Sequence, residues 1–123
     1  MTGSPRINLP DEAEQARWSI LEPARARFRD LIVVRIIAFE EFRKGAARPA
    51  EAAEALVKMS DLAHKIAGVG ATLGYASVGT LAGAVEQTVL SGRANRAAAA
   101  TIWSEVEPRL DVLLDALEAL LDD

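Results

Sequence analysis

The chain of 123 residues contains no cysteine and a single histidine. Without thiols there is no disulfide framework, no thiolate metal site and no cysteine nucleophile. One imidazole is too few for a zinc centre, so no metal site is expected. Basic charge is also short: 14 Lys and Arg stand against 18 Asp and Glu, for a net charge of -4 and a pI near 5.0. General nucleic-acid binding needs a basic face and is not expected here. No glycine-rich phosphate loop leading into Lys-Ser or Lys-Thr occurs, which excludes the usual ATP cradle. The opening Met1-Thr2-Gly3-Ser4-Pro5-Arg6 lacks the apolar core of a signal peptide, so a cytoplasmic protein is expected. Charge itself is missing from Ile66 to Val85, a run long enough for a membrane span. Gly70/Gly74 and Gly79/Gly83 even have the spacing of membrane helix packing. The run also holds five glycines, two threonines, a serine and a tyrosine. By hydropathy it reads better as two soluble helices joined near Gly74, and no membrane insertion is expected.

Half of the residues are hydrophobic, enough for one domain with a substantial core. Residues 1 to 10, with Pro5 and Pro10, read as a loose tail, and 11 to 123 as a single helical domain. A short helix over Asp11 to Leu21 has Asp11 as N-cap and an apolar edge at Trp18 and Leu21. Pro23 then separates it from the next helix or opens that helix. A long helix follows over 24 to 44, closed by Arg43 and Lys44 before Gly45. Its core face carries Phe28, Leu31, Ile32, Phe39 and Phe42, with Arg35 awkwardly near the middle. Val33, Val34 and Ile37 lie off that face, either because the helix is buried on several sides or because they form an exposed apolar patch for a partner. A third helix spans about 50 to 72, ended by Gly74. A fourth, over 76 to 90, carries Val78, Leu81, Val85 and Val89 and is closed by Ser91-Gly92. The last spans about 94 to 121, with Val106, Leu110, Leu113, Leu117 and Leu120 on its stripe and a kink or break at Pro108. No strand pattern occurs. The expected fold is all-α: an antiparallel up-down four-helix bundle with an additional short N-terminal helix covering one end or side.

The lone histidine, His64, sits on the third helix. At about 100° per residue, Met59, Leu62, Ile66, Val69 and Leu73 form one apolar stripe, and His64 emerges opposite its centre, toward water. Its helical neighbours are Ser60, Asp61, Ala67, Gly68 and Ala71, and nearly all are small. Glycine in mid-helix costs roughly 1 kcal/mol relative to alanine, so Gly68 calls for a compensating reason, and close approach of another body to the imidazole is one. Asp61 is either a solvated acid or a hydrogen-bond partner that orients His64 across one turn. Lys65 lies about 100° round the helix from it. An exposed imidazole keeps a large neutral fraction near neutral pH and can act as a nucleophile.

The run Ala63-His64-Lys65-Ile66-Ala67-Gly68, with Gly74 ten positions after the histidine and an amphipathic helix beyond, resembles the histidine-containing phosphotransfer (HPt) domains of multistep phosphorelays. The likeness runs over about residues 24 to 121, and its specificity lies in 60 to 90. His64, Ile66, Gly68 and Gly74 fit the family's pattern. Ala67 departs from it, standing where the family usually has a lysine thought to help hold the phosphoryl group. The resemblance implies that His64 is a phosphoacceptor, reacting through Nε2. The implied docking surface around it comprises Ser60, Asp61, Lys65, Ala67, Gly68 and Ala71, with Val33 and Ile37. Implied partners are response-regulator receiver domains and a hybrid histidine kinase. The chain would bind no cofactor of its own, Mg²⁺ being supplied by the receiver, and would act as a monomer that relays phosphate without ATP-dependent kinase activity. Two other readings of the same residues are a receiver-docking module with weak or no transfer, and a plain helical interaction bundle.

Overall fold

A computed structural model of the chain describes residues 12–122. The tail over residues 1 to 10 and the N-cap at Asp11 lie outside the described residues. Five α-helices are present: α1 (Glu12–Asp30), α2 (Ile32–Ala46), α3 (Ala52–Thr72), α4 (Ala76–Ala94) and α5 (Ala99–Ala119), with a final 3-10 turn over Leu120–Asp122. Among the described residues there is no strand. Helix α3 packs on α4, α4 on α5, and α2 on both α3 and α5, so four helices close around one core. That core is built from Phe28, Ile32, Phe39, Leu56, Met59, Ile66, Val85, Val89, Val106, Leu110, Leu113 and Leu117.

The helix boundaries differ from expectation in ways that burial explains. Pro23 neither ends nor opens a helix, because α1 runs through it to Asp30. The carbonyl that loses its donor belongs to Ser19, which is exposed and can be satisfied by water. The break falls instead at Leu31, and it is slight. The Leu31 N–H is shared between the carbonyls of Arg27 (3.1 Å) and Phe28 (3.3 Å), and its own carbonyl accepts from Arg35 N–H at 2.9 Å. Pro108 likewise sits inside an unbroken α5, again with an exposed carbonyl, that of Ser104, in front of it. The C-terminal stretch begins later than expected, since residues 95 to 98 connect α4 to α5.

Only one of the three glycines read as helix stops is one. Gly74, at φ +89°, closes α3: Tyr75 N–H donates to the Gly70 carbonyl at 2.8 Å and Gly74 N–H to that of Ala71 at 3.3 Å. This paired cap needs a left-handed residue, which glycine adopts without a Cβ penalty. Gly45 and Gly92 lie within α2 and α4 and serve packing. A Cβ on Gly45 would stand 3.0 Å from the Ala55 Cβ of α3, and one on Gly92 would stand 2.5 Å from Ile102 of α5.

Helix α1 buries only Phe28 and is held largely by aromatic and charged contacts to the α3–α4 turn. The Trp18 ring covers Gly74, where a Cβ would approach within 2.9 Å. Phe28 stacks on Tyr75 at 4.9 Å between centroids. The Arg25 guanidinium lies over both Trp18 (5.1 Å) and Tyr75 (5.2 Å). Arg29 donates to the Tyr75 hydroxyl at 3.0 Å and to Glu22 at 2.8 Å. The hydrogen bond from Arg29 holds the Glu22 carboxyl below its usual range, and the bonds to Glu22 and Tyr75 raise the Arg29 guanidinium above its own. Arg35, near the middle of the expected core face, lies half-buried over the Phe28 ring at 5.3 Å. Its burial, with the charge of Arg27, pushes its guanidinium below the usual value.

Candidate functional site

The imidazole of His64 is 71 % exposed, as expected, but it does not stand alone. Its Nδ1 lies 2.6 Å from Oε2 of Glu86, whose side chain is only 16 % exposed. The contact follows from how α3 and α4 are packed. Next to the turn at Gly74 the two helices touch backbone to backbone: a Cβ on Gly70 would lie 3.2 Å from Gly79 N, and one on Gly79 would lie 3.2 Å from Ala71 N. Two helical turns away from this crossing, α4 is still close enough for a glutamate to reach the α3 side chain. The buried residues of α3 include Ser60, Ala63 and Gly70 beside the aliphatic stripe, so its core face is rotated toward α4. His64, one residue after Ala63, therefore opens onto the α3–α4 seam rather than straight away from the core.

A carboxylate at Nδ1 accepts a hydrogen bond from that nitrogen, which in the neutral ring fixes the tautomer and leaves the Nε2 lone pair free. In that tautomer Nε2 is the ring nitrogen able to act as a nucleophile. Clearance around it comes from both helices, because a Cβ added to Gly68 or to Gly83 would meet nothing within 4 Å.

The family model for the Hpt domain matches residues 13–123. The chain belongs to the Hpt domain family. Neither the curated proteins nor the solved structures contain a match. Membership places the chain in phosphorelay signalling, in which Hpt domains interact with receiver domains. Among the described residues, no helix is long and apolar enough to cross a membrane.

Within this Hpt domain the residues expected around the imidazole divide into two groups. Asp61, Lys65, Gly68 and Ala71 are exposed on α3. Ser60 is not part of the surface: it is 4 % exposed, turned to the buried side with Ala63. Ala67 is half-buried, its carbonyl 3.4 Å from where a Gly79 Cβ would stand. The hydrogen-bond role considered for Asp61 belongs to Glu86 instead. Val33 and Ile37 are exposed, at 49 % and 57 %, so of the two explanations for these valines and isoleucine the exposed patch is the one observed. They do not adjoin His64. On α2 the flank facing α3 is marked by Gly45 against Ala55, and the flank facing α5 by Arg43, which donates to Asp111 at 2.5 Å and Glu107 at 3.4 Å. At about 100° per residue, Val33 and Ile37 fall on the outer, α5-facing side, whereas His64 opens toward α4.

Sequence reasoning missed Glu86, although a signal existed. It is the only acidic residue of α4 and the first charge after the neutral run from Ile66 to Val85. A single carboxylate on a helix whose one other charge is Arg93 in its last turn, across the α3–α4 turn from the only histidine, is an unusual placement for a merely solvated group.

Proposed function

We propose that this protein is a phosphorelay intermediate in which His64 accepts a phosphoryl group from a receiver-domain aspartate and passes it to the aspartate of another receiver. The observation that carries the reading is the His64–Glu86 pair at 2.6 Å, which in the neutral ring places the proton on Nδ1 and leaves the Nε2 lone pair free. In the forward step Nε2 attacks phosphorus in line with the aspartyl oxygen. The N–P bond forms, the O–P bond breaks, and the carboxylate leaves with its electron pair. Starting from the neutral ring protonated at Nδ1, no proton need move. The ring, still protonated at Nδ1, becomes cationic as it is phosphorylated, and Glu86 stands against that charge. Return transfer reverses these steps.

On this reading Mg²⁺ belongs to the receiver and no cofactor to this chain. An upstream hybrid histidine kinase and a cytoplasmic setting follow from the same role. One copy, folded as an antiparallel up-down bundle with α1 across one end, is enough for the chemistry. Ala67, in place of a basic residue, supports a second reading, in which the domain docks receivers and transfers poorly.

Incubation of the purified protein with a phosphorylated receiver separates the two. Acid-labile, alkali-stable phosphate on the wild type and none on His64→Gln is the expected result. Several receivers that bind without leaving label would establish the docking module instead.

A further inference from the structure

The exposed apolar face of α2 is not accounted for by a surface centred on His64. Val33, Val34 and Ile37 are 49, 60 and 57 % exposed, and at about 100° per residue they share the outer side of α2, Val33 and Ile37 toward α5 and Val34 toward α3. Their surroundings are ordered in charge. One exposed row along α1 and α2, spaced by heptads, reads Arg27, Val34, Glu41, and the row beside it reads Asp30, Ile37, Lys44. Each row runs from one charge through an apolar residue to the opposite charge, and the two rows have opposite sense. Such a face is complementary to itself turned end for end.

We propose that this face pairs with the same face of a second copy, α2 against α2, antiparallel about a two-fold axis at Val34. In that register Val34 meets its own copy, Ile37 lies within one turn of it, and each Arg27 faces Glu41 of the other copy. The arrangement is isologous, as two-fold interfaces must be. Sliding the axis to the midpoint between Val34 and Ile37 would still bury the apolar residues. It would also set Arg27 against Lys44 and Asp30 against Glu41, all like charges. The charge order thus selects one register over its near neighbour, a repulsive element against the wrong pairing. A single helix face buries less than the roughly 1,000 Å² that stable interfaces need. The dimer is therefore weak and concentration-dependent, and it leaves His64 uncovered. The inference does not depend on transfer at His64.

Sedimentation equilibrium of the full chain, from low micromolar to near-millimolar concentration, tests it. Reversible association to a dimer is expected, lost in Val34→Asp with an unchanged far-ultraviolet circular dichroism spectrum. Arg27→Glu and Glu41→Arg should each weaken the dimer about tenfold, equivalent to about 1.4 kcal/mol. The double variant should return to within about twofold of the wild type. A monomer across the whole range overturns the proposal, as does a dimer that persists in Val34→Asp. A monomeric wild type in which Val34→Asp blocks binding of a receiver assigns the face to that partner instead, which also overturns it.

Discussion

With Nδ1 of His64 bonded to Glu86, the reactivity of the imidazole depends on a residue 22 positions away in the sequence and on the other side of a helical turn. A hydrogen bond to a charged group contributes about 1.5–3 kcal/mol. Under the proposed mechanism that bond strengthens as the ring becomes cationic, so removing it acts on the rate. Glu86→Ala should slow phosphoryl acceptance from a receiver about ten- to a hundredfold, measured by rapid-quench transfer. Glu86→Gln, whose amide oxygen still accepts from Nδ1, should lose less. Equal losses in the two would mean that the negative charge, not the tautomer, is what matters. Gly68 offers a second test at the same scale. It is exposed and a Cβ there meets nothing, so Gly68→Ala should be tolerated and should stabilise the helix by up to about 1 kcal/mol. Gly68→Arg should fold normally yet block transfer by filling the space in front of Nε2. Unimpaired transfer in a folded Gly68→Arg protein would remove the close-approach explanation of this glycine.

Among the elements, the sequence was most legible where a periodic apolar stripe met a genuine cap. The α4 stripe and the stop at Gly74 are where the pattern put them, because the paired cap requires a glycine that no side chain can replace. The α3 core face is rotated toward α4, so that Val69, expected on its stripe, is 40 % exposed while Ser60 and Ala63 are buried. Gly45 and Gly92 misled because a glycine that ends a helix and one that admits a neighbouring helix look alike in one dimension. Pro23 and Pro108 misled because their cost depends on whether the freed carbonyl faces water. Gly79 carries the close approach that brings Glu86 to His64. Gly79→Val, with backbone atoms of α3 only 3.2 to 3.4 Å from its Cβ, should destabilise the protein by at least about 1–3 kcal/mol in urea unfolding. Helix α1 responds to acid for another reason. The Arg29 hydrogen bond lowers the Glu22 pKa in the folded state, so its stabilising effect is complete above the unfolded carboxyl range. It is lost as pH falls below about 4.3 and through the lowered folded value. In a Trp103→Phe background, Trp18 fluorescence should report loosening of α1 at low pH. Glu22→Gln should show that loosened signal already at neutral pH, with no further acid step from this site.

On the scale of the whole molecule α4 and α5 each expose one large apolar side chain, Leu90 and Val112, and their positions decide which can serve a receiver at His64. On α4, Leu90 is exposed one turn beyond Glu86, the residue that contacts His64, with Gly83 one turn before it. On α5, Val112 is exposed beside Leu81, Ala84, Pro108 and Arg109 in an open α4–α5 groove of about 430 Å³, on the flank of α4 away from α3. A receiver whose aspartate must come in line with Nε2 centres on the α3–α4 seam, which leaves that groove at its rim at most. Leu90→Arg and Val112→Arg make the same change of size and charge on equally accessible sites, so general electrostatic effects on an acidic protein cancel between them. Leu90→Arg should weaken receiver binding about tenfold, the loss of one apolar contact near the centre of an interface. Val112→Arg should leave it within about twofold, both by fluorescence anisotropy with a labelled receiver. The reverse order of effects would place the receiver on the α4–α5 groove, out of reach of Nε2, and phosphotransfer through His64 would then require a second docking event.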